Sequence, residues 1–231
     1  MEWKKYLAEL IATFALVFIG AGAILANNFS KGGVGLVGIA LAHGLVLMAM
    51  VYATAHISGG HVNPAVTIAM LFTRRINFKN ALFYIVSQLV GAALAGSLLW
   101  MIFPAATNTL HVGTPELAYG VPVLTGIIIE AVLTFFLVFT VFGVAVDKRA
   151  PSGVYGFAIG LVLTFDILMG GPLTGAAMNP ARAFGPAFAA NFWTNHLVYW
   201  IGPVIGAVVA GLMYEYLLLD RKNKKQPSEA K

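Results

Sequence analysis

The sequence contains no cysteine and few charged residues. Without cysteine, the chain can form no disulfide, no thiolate metal site and no cysteine nucleophile. Charged residues make up 10% of the chain and hydrophobic residues 59%, whereas a soluble domain carries about 25% charged residues. A chain this apolar would expose a large hydrophobic surface in water, so we expect it to lie in a lipid bilayer.

Six apolar segments are long enough to cross a membrane, which takes about 20 helical residues. They cover residues 4–27, 34–57, 81–103, 122–146, 154–171 and 197–219. The first lacks a small-residue cleavage site, so we expect a retained helix and not a signal peptide. Two further stretches, 64–73 and 180–190, correspond to about 15 Å of helix each, half of a hydrocarbon core of about 30 Å. These two cannot span.

The basic residues are unevenly placed between these segments. With six spans, one side of the membrane receives nearly all of them, and the loops of the other side offer only Lys31. By the positive-inside rule, both termini are predicted to be cytoplasmic. The net charge of +5 is explained by this topology, so no nucleic-acid partner is predicted. The residues on the basic side are Lys4, Lys5, Arg74, Arg75, Lys79, Lys148, Arg149, Arg221, Lys222, Lys224, Lys225 and Lys231.

The second half of the sequence repeats the first. Gly44-Leu45-Val46-Leu47 recurs as Gly160-Leu161-Val162-Leu163, 116 positions later. Because each repeat holds three spans, an odd number, the second must enter the membrane from the opposite face. We therefore predict one transmembrane domain, 1–231, with inverted repeats at about 1–110 and 120–220 and a basic cytoplasmic tail, 221–231.

Each half-length stretch begins with the same three residues. Asn is a favoured helix N-cap, and Pro suits the first helical position. One Asn-Pro pair is equally consistent with a surface amphipathic helix, but two in register within an inverted repeat predict short helices whose N-termini meet near the midplane. Irregular backbone at that depth must line a watery cavity or be buried in protein. The two boxes are Asn63-Pro64-Ala65 and Asn179-Pro180-Ala181.

The stretches SGGHVNPAVT and TGAAMNPARAFGPA resemble the paired boxes of the aquaporin (major intrinsic protein) family. The resemblance covers nearly the whole chain and implies an all-α membrane fold of six spans and two half-helices. It also implies a homotetramer in the bilayer, in which every subunit has its own pore. Each capping Asn uses its side-chain oxygen on the helix, and its NH₂ group is predicted to donate to passing water.

An intramembrane charge indicates a functional site, and Arg182 is the basic residue predicted to lie there. In the family this Arg belongs to the selectivity filter near the extracellular mouth, and the resemblance adds His43, Ile167 and Ala176. Strictly water-selective members usually have Phe and His where this chain has His43 and Ile167. The set is similar to that of plant vacuolar-membrane aquaporins, so we predict a wider filter that passes water and ammonia.

Other polar residues have two interpretations each. His61 is predicted to line the cytoplasmic mouth, whereas His111 either folds back over Arg182 at the pore mouth or is a solvated loop residue. Glu9 and Glu130 could relay protons, but we expect them to accept hydrogen bonds from the backbone of the half-helix loops. Asp166, which matches no family residue known to us, either faces the tetramer centre or approaches Arg182.

Competing functions are less well supported by the sequence. Glycerol facilitators are the alternative, but they usually carry Asp at Ala183 and a basic residue at Ala187, and they lack the Tyr199-Trp200 pair. An ion-coupled transporter would need a titratable midplane site, where this chain has two neutral amides. No nucleophile–base set and no convincing metal spacing of histidines is present, so no enzymatic activity, catalytic residue, cofactor or metal is predicted.

Overall fold

The computed structural model describes residues 2–220, and over that range the protein contains helices and no strands. The predicted basic tail, 221–231, with Arg221, Lys222, Lys224, Lys225 and Lys231, lies outside the described residues. Within them, six helices are long and apolar enough to cross a membrane, which confirms the predicted all-α membrane fold. They are Trp3–Phe29 (α1), Gly35–Ser58 (α2), Phe78–Ile102 (α4), Val123–Val146 (α6), Tyr155–Thr174 (α7) and Val198–Leu218 (α9).

Two short helices lie between these spans, where the half-length stretches are predicted. They are Pro64–Phe72 (α3) and Pro180–Ala190 (α8). The connection between α4 and α6 contains a 3-10 turn at Pro104–Ala106, the four-residue helix Thr107–Leu110 (α5) and a second 3-10 turn at His111–Gly113.

Helix ends differ from the predicted segments where polar residues or proline obscured them. Helix α4 begins at Phe78, three residues before the predicted segment, because Asn77 caps it by accepting a 2.8 Å bond from the backbone N–H of Asn80. Helix α7 continues through Pro172 to Thr174 and ends at Gly175, whose φ of 79° is left-handed. A segment predicted from hydropathy ends where a polar residue or a proline appears. The helix itself ends where its backbone hydrogen bonds and its cap end.

The helices pack so that each half-helix lies against the other half of the chain. Helix α1 packs on α2 and α4, α6 packs on α7 and α9, and α2 contacts α7. Helix α3 packs mainly on α9, and α8 packs mainly on α4. At the α2–α7 crossing, a Cβ added to Gly44 would lie 2.5 Å from the carbonyl oxygen of Gly160. Small residues therefore allow the two backbones to touch at the centre of the bundle.

Candidate functional site: a cavity between two capped half-helices

The two half-helices begin with the same capping geometry. Asn63 has an extended backbone with φ of −157°, and its side-chain oxygen accepts a 2.8 Å bond from the N–H of Ala65. Asn179 has φ of −150°, and its oxygen accepts bonds from Ala181, at 3.0 Å, and Arg182, at 3.3 Å. Pro64 and Pro180 occupy the first helical positions. Each cap satisfies N–H groups that a helix N-terminus leaves unpaired.

The side-chain amides of the two caps reach across to each other's loop. Asn63 Nδ2 donates to the carbonyl oxygen of Met178 at 2.8 Å, and Asn179 Nδ2 donates to that of Val62 at 2.9 Å. The sequence-based expectation left the whole NH₂ group to water, but one of its two N–H groups joins the half-helices instead. Among the described residues, the other N–H of each amide has no protein acceptor.

Two buried carboxylates hold the loops that precede the half-helices. Glu9 accepts bonds from the Ser58 hydroxyl, at 2.7 Å, and from the N–H groups of His61, at 2.9 Å, and Val62, at 2.6 Å. The Gln88 amide adds a fourth bond at 2.8 Å. These bonds occupy both carboxylate oxygens, so the loop backbone is satisfied inside the bundle.

The second carboxylate makes equivalent contacts with one donor fewer. Glu130 accepts bonds from the Thr174 hydroxyl, at 2.7 Å, and from the N–H groups of Ala177, at 3.0 Å, and Met178, at 2.7 Å. Gln88 lies on α4 three residues before Gly91, and the same place before Gly206 on α9 is occupied by Pro203, which cannot donate. The same kinds of donor therefore bind the carboxylate at both loops, but Glu9 accepts four bonds and Glu130 accepts three.

A cavity of about 270 Å³ runs along the half-helix N-termini. Asn63 and Asn179 line its middle, and the walls are mainly apolar side chains of α2, α6 and α7. The predicted filter residues His43, Ala176 and Arg182 also line it, as does His61. The cavity thus combines an apolar wall with a few convergent polar groups, which is typical of a site for small molecules.

Arg182 is 2% exposed, and one guanidinium nitrogen, Nη1, donates to the carbonyl oxygen of Gly113 at 3.0 Å. Its Nε and Nη2 are buried with no protein partner among the described residues. Buried donors of this kind require an acceptor. Because Arg182 lines the cavity, a molecule inside the cavity can supply it.

His43 is positioned by one backbone contact and lies next to this guanidinium in the filter set. Its Nδ1 is 2.9 Å from the carbonyl oxygen of Ile39. A carbonyl can only accept, so Nδ1 carries the hydrogen and Nε2 of the neutral ring is an acceptor. The structure therefore brings an acceptor and several donors to the same cavity.

Three comparisons with known proteins bear on this arrangement. The profile of the family described as "MIP: Major intrinsic protein" matches residues 1–214. The chain belongs to the major intrinsic protein family, the aquaporins. It is 46% identical to "Aquaporin TIP4-4" of Zea mays, over 94% of this chain and 87% of that protein. It is also 46% identical to "Probable aquaporin TIP3-2" of Arabidopsis thaliana, over 96% of this chain and 86% of that protein.

The fold agrees with that of a solved member of the family. The structure described as the "aquaglyceroporin from Plasmodium falciparum" superposes with a TM-score of 0.84, covering 94% of this chain and 97% of that one at 23% identity. At that identity the likeness concerns the fold alone. Family membership makes this aquaporin an integral multi-pass membrane channel for small neutral solutes, and not an enzyme.

Ile167 of this aquaporin packs near the cavity without lining it. It is 3% exposed and packs in the same core as Ala176, one helical turn beyond Leu163, which lines the cavity. Ile167 itself is not among the cavity-lining residues, so its filter role stays a prediction.

The other end of the aquaporin cavity carries an apolar counterpart of the filter, which the sequence reading missed. Positions related by the 116-residue offset to His43, Ile167, Ala176 and Arg182 are Ile159, Val51, Gly60 and Val66. All four line the cavity. The offset alone could have revealed this set, in which apolar residues stand where the filter set has His43 and Arg182.

His111 contacts residues other than Arg182 in the described part of the chain. Its ring stacks on Phe192 with a centroid distance of 3.6 Å and an interplanar angle of 3°, and its Nδ1 contacts Glu116. The loop reaches Arg182 through the carbonyl of Gly113 instead. A backbone acceptor has no sequence signature, so the sequence could not indicate this contact.

Asp166 lies inside the bundle. At 1% exposure it is buried within the subunit, so it does not face outward toward a tetramer centre, and it does not hydrogen-bond Arg182. One carboxyl oxygen has no partner among the described residues. The described residues also contain no cluster of His, Asp and Glu that could hold a metal ion.

Two of the basic residues predicted for one side, Arg75 and Arg149, lie at the bundle end where α9 finishes, called here the basic end. Arg75 donates to Glu215 at 2.6 Å, and Arg149 donates to the carbonyl oxygen of Leu218 at 2.8 Å. Arg149 also pairs with Asp147 at 2.5 Å, and this contact holds the pKa of the Asp147 carboxyl well below its ordinary value. Arg75 lines the cavity, so the basic end is one of its mouths.

Proposed function

We propose that this chain is a passive water channel that also conducts ammonia and excludes ions and protons. The observation that carries the proposal is the single cavity onto which Asn63, Asn179 and Arg182 converge. The relatives named as aquaporins support water as the permeant.

Water is oriented at the middle of this channel by the two amides. The second N–H of Asn63 and that of Asn179 donate to the oxygen of a passing water, whose hydrogens then point away along the pore. Its oxygen cannot accept further bonds from neighbouring waters, which breaks a continuous proton path. Helices α3 and α8 also direct their positive N-termini to this point.

Cations are refused by positive charge along the pathway. The guanidinium of Arg182 is buried at 2% exposure, with two nitrogens that have no partner among the residues the structure describes, and the half-helix dipoles add to its potential. Exclusion by an arginine and half-helix dipoles is the scheme already known for aquaporin-type pores, and this chain has both components. Neutral solutes avoid the barrier.

The filter residues His43, Ile167, Ala176 and Arg182 are proposed to set the solute size. Ala176 offers little bulk, and neither Ala176 nor Ile167 has a side-chain donor. Arg182 supplies donors and the Nε2 of His43 an acceptor. A pathway of this kind suits water and ammonia, which both donate and accept. His61, whose ring contacts Thr67 at 3.1 Å, lies at the basic mouth, and Glu9 and Glu130 support the half-helix loops.

The orientation of the chain in the membrane is proposed from the basic residues at the basic end. Lys5 and Arg75 border one surface depression, and Arg75 and Arg149 both contact the end of α9. By the positive-inside rule this end faces the cytoplasm, together with both termini. Repeats 1–110 and 120–220 then cross the membrane in opposite directions, consistent with equivalent contacts 116 residues apart at the two boxes.

A homotetramer is proposed for the assembly in the bilayer. Large apolar side chains are exposed on the outer faces of the spans, including Leu45, Leu161, Phe165 and Val209. Lipid covers part of this surface, and a second copy covers another part. Size-exclusion chromatography with light scattering in mild detergent should give four chains per particle, and a monomer would contradict the proposal.

Stopped-flow light scattering of proteoliposomes tests the proposed function. Full-length protein should shrink vesicles in an osmotic gradient faster than protein-free vesicles, without a reswelling phase in glycerol or urea. A rate equal to that of protein-free vesicles would refute the water channel. A glycerol reswelling phase would favour the glycerol facilitator instead, and accumulation of a solute driven by an ion gradient would favour a coupled transporter.

Ammonia conduction is tested by a substitution in the filter. Ile167→His replaces an apolar side chain by a polar ring with a donor, so ammonia flux should fall toward the lipid background while water still passes. Ile167→Leu, which keeps the volume and adds no polar group, is the control and should conduct both. Wild-type ammonia flux no greater than that of protein-free vesicles would overturn this part of the proposal.

A further inference from the structure

The ring of His43 rests on a glycine of a neighbouring helix. Gly20 lies on α1 and is buried. A Cβ added there would overlap the Cδ2 and Nε2 atoms of the His43 imidazole and lie 3.0 Å from its Cε1. The missing side chain therefore leaves the space that the outer part of the ring occupies.

This contact lies beside the cavity. Leu16, one turn before Gly20 on α1, lines the cavity, and so does His43. At the next turn of α1, the ring of His43 covers the helix backbone. The imidazole thus lies between α1 and the open space, and any displacement away from α1 moves it toward the pore.

Neither helix can retreat to relieve an overlap. A Cβ on Gly91 of α4 would strike the carbonyl oxygen of Leu10, so α1 already touches the backbone of α4. On the other side, Gly44 of α2 touches the backbone of Gly160 on α7, where a Cβ would lie 2.5 Å from the carbonyl oxygen. Cores packed to this density transmit a volume change to the groups that can move. Here that group is the His43 side chain.

We infer that Gly20 is a specificity-determining residue, because its lack of a side chain withdraws the His43 ring from the pore and sets the width of the filter. The inference rests on the proposed function and deepens it. The first and fourth spans are in register through Glu9 and Glu130, 121 positions apart, so Val141 corresponds to Gly20, and Ile159 corresponds to His43 at the 116-residue offset. Both carry apolar side chains that line the cavity. Only the Arg182 end therefore has this glycine–histidine pair.

Gly20→Ala, measured in proteoliposomes of the full-length protein, tests the inference. We expect the water permeability per channel to fall about tenfold, equivalent to a rise of about 1.4 kcal/mol in the barrier. Ammonia permeability should fall at least as much. Gly22→Ala is the matched control, because its Cβ would lie 3.3 Å from Cδ2 of Leu99 and far from His43. It should conduct like the wild type.

A double variant shows whether the loss passes through His43. His43→Ala and Gly20→Ala/His43→Ala should have equal, high permeability, because the displaced ring is absent in both. The inference is overturned if Gly20→Ala conducts like Gly22→Ala, or if its loss persists after His43 is removed. Thermal unfolding of each variant in detergent separates a filter effect from misfolding.

The ring position can also be measured without transport. The ¹⁵N chemical shift of His43 Nδ1 in labelled protein should change in Gly20→Ala, because the 2.9 Å bond to Ile39 is strained or lost, and should not change in Gly22→Ala. If the wild type conducts no water, the proposed function fails while this readout still tests the contact. An unchanged Nδ1 signal in Gly20→Ala would overturn it.

Discussion

Asn63 donates a 2.8 Å hydrogen bond to the carbonyl oxygen of Met178, the residue that precedes the other capping asparagine. The equivalent bond from Asn179 to Val62 returns at 2.9 Å. Val62 and Met178 both have left-handed backbones, with φ of 54° and 50°, which turns each carbonyl toward the opposite cap. The two half-helices are therefore joined directly at the point where the pore is proposed to orient water.

Asn63→Asp separates the donor role of this residue from its capping role. Aspartate is also a good N-cap, so α3 should persist, but the carbonyl of Met178 loses its donor, at a cost of about 1–3 kcal/mol. We expect a lower unfolding temperature in detergent and slower water flux. Asn77→Asp is the control, because Asn77 caps α4 through its oxygen. Equal behaviour of the two variants would contradict the cross-helix bond.

Gln88→Met removes the fourth donor to Glu9 and should make the first loop resemble the second. The lost bond to a carboxylate is worth about 1.5–3 kcal/mol. Glu9 keeps its other three donors, one hydroxyl and two backbone N–H groups, and Glu130 is bound by donors of the same kinds. The variant should unfold at a lower temperature but still conduct water. Ser87→Ala, at the neighbouring position, is the control and should unfold at the wild-type temperature and conduct water. Complete loss of folding in Gln88→Met would show that three donors are too few.

Arg182→Val gives the filter the residue found at the equivalent position, Val66, of the apolar end. Removing the buried charge should raise proton and cation leak, measured with a pH-sensitive dye under a membrane potential, and should admit glycerol. Arg182→Lys keeps the charge and should retain most of the exclusion. Unchanged leak in Arg182→Val would mean that the barrier lies with the half-helix dipoles.

Stability at the basic end should depend on pH through Asp147. Arg149 holds the pKa of this carboxyl below its ordinary value of 3.8, so the carboxylate stabilises the folded state fully at neutral pH. That contribution is lost as pH falls below the ordinary value toward the lowered one. The difference in unfolding temperature between wild type and Asp147→Asn should therefore be largest near neutrality and shrink in acid. A difference that grew in acid would contradict the assignment.

The sequence predicted the fold because its signals are local and repeated. Apolar runs determine the six spans, and Asn-Pro pairs determine where α3 and α8 begin. The family resemblance, matched by spacing to the two boxes, named His43 and Ala176, and both line the cavity. A bilayer admits few ways to satisfy backbone groups, so composition and the repeated Asn-Pro signals are enough to predict the spans and half-helices, whereas the family followed from the resemblance of the two boxes.

Only the tertiary structure decided which groups are free. In the folded chain, one N–H of Asn63 bonds to Met178, the carbonyl of Gly113 accepts a bond from Arg182, and the ring of His111 stacks on Phe192. The tertiary structure also set the His43 ring against Gly20. These contacts join residues far apart in sequence, through backbone oxygens or through the absence of a side chain. A backbone oxygen that accepts a bond and a side chain that is absent leave no pattern along the sequence, because hydrogen-bond partners and steric limits arise only when helices pack.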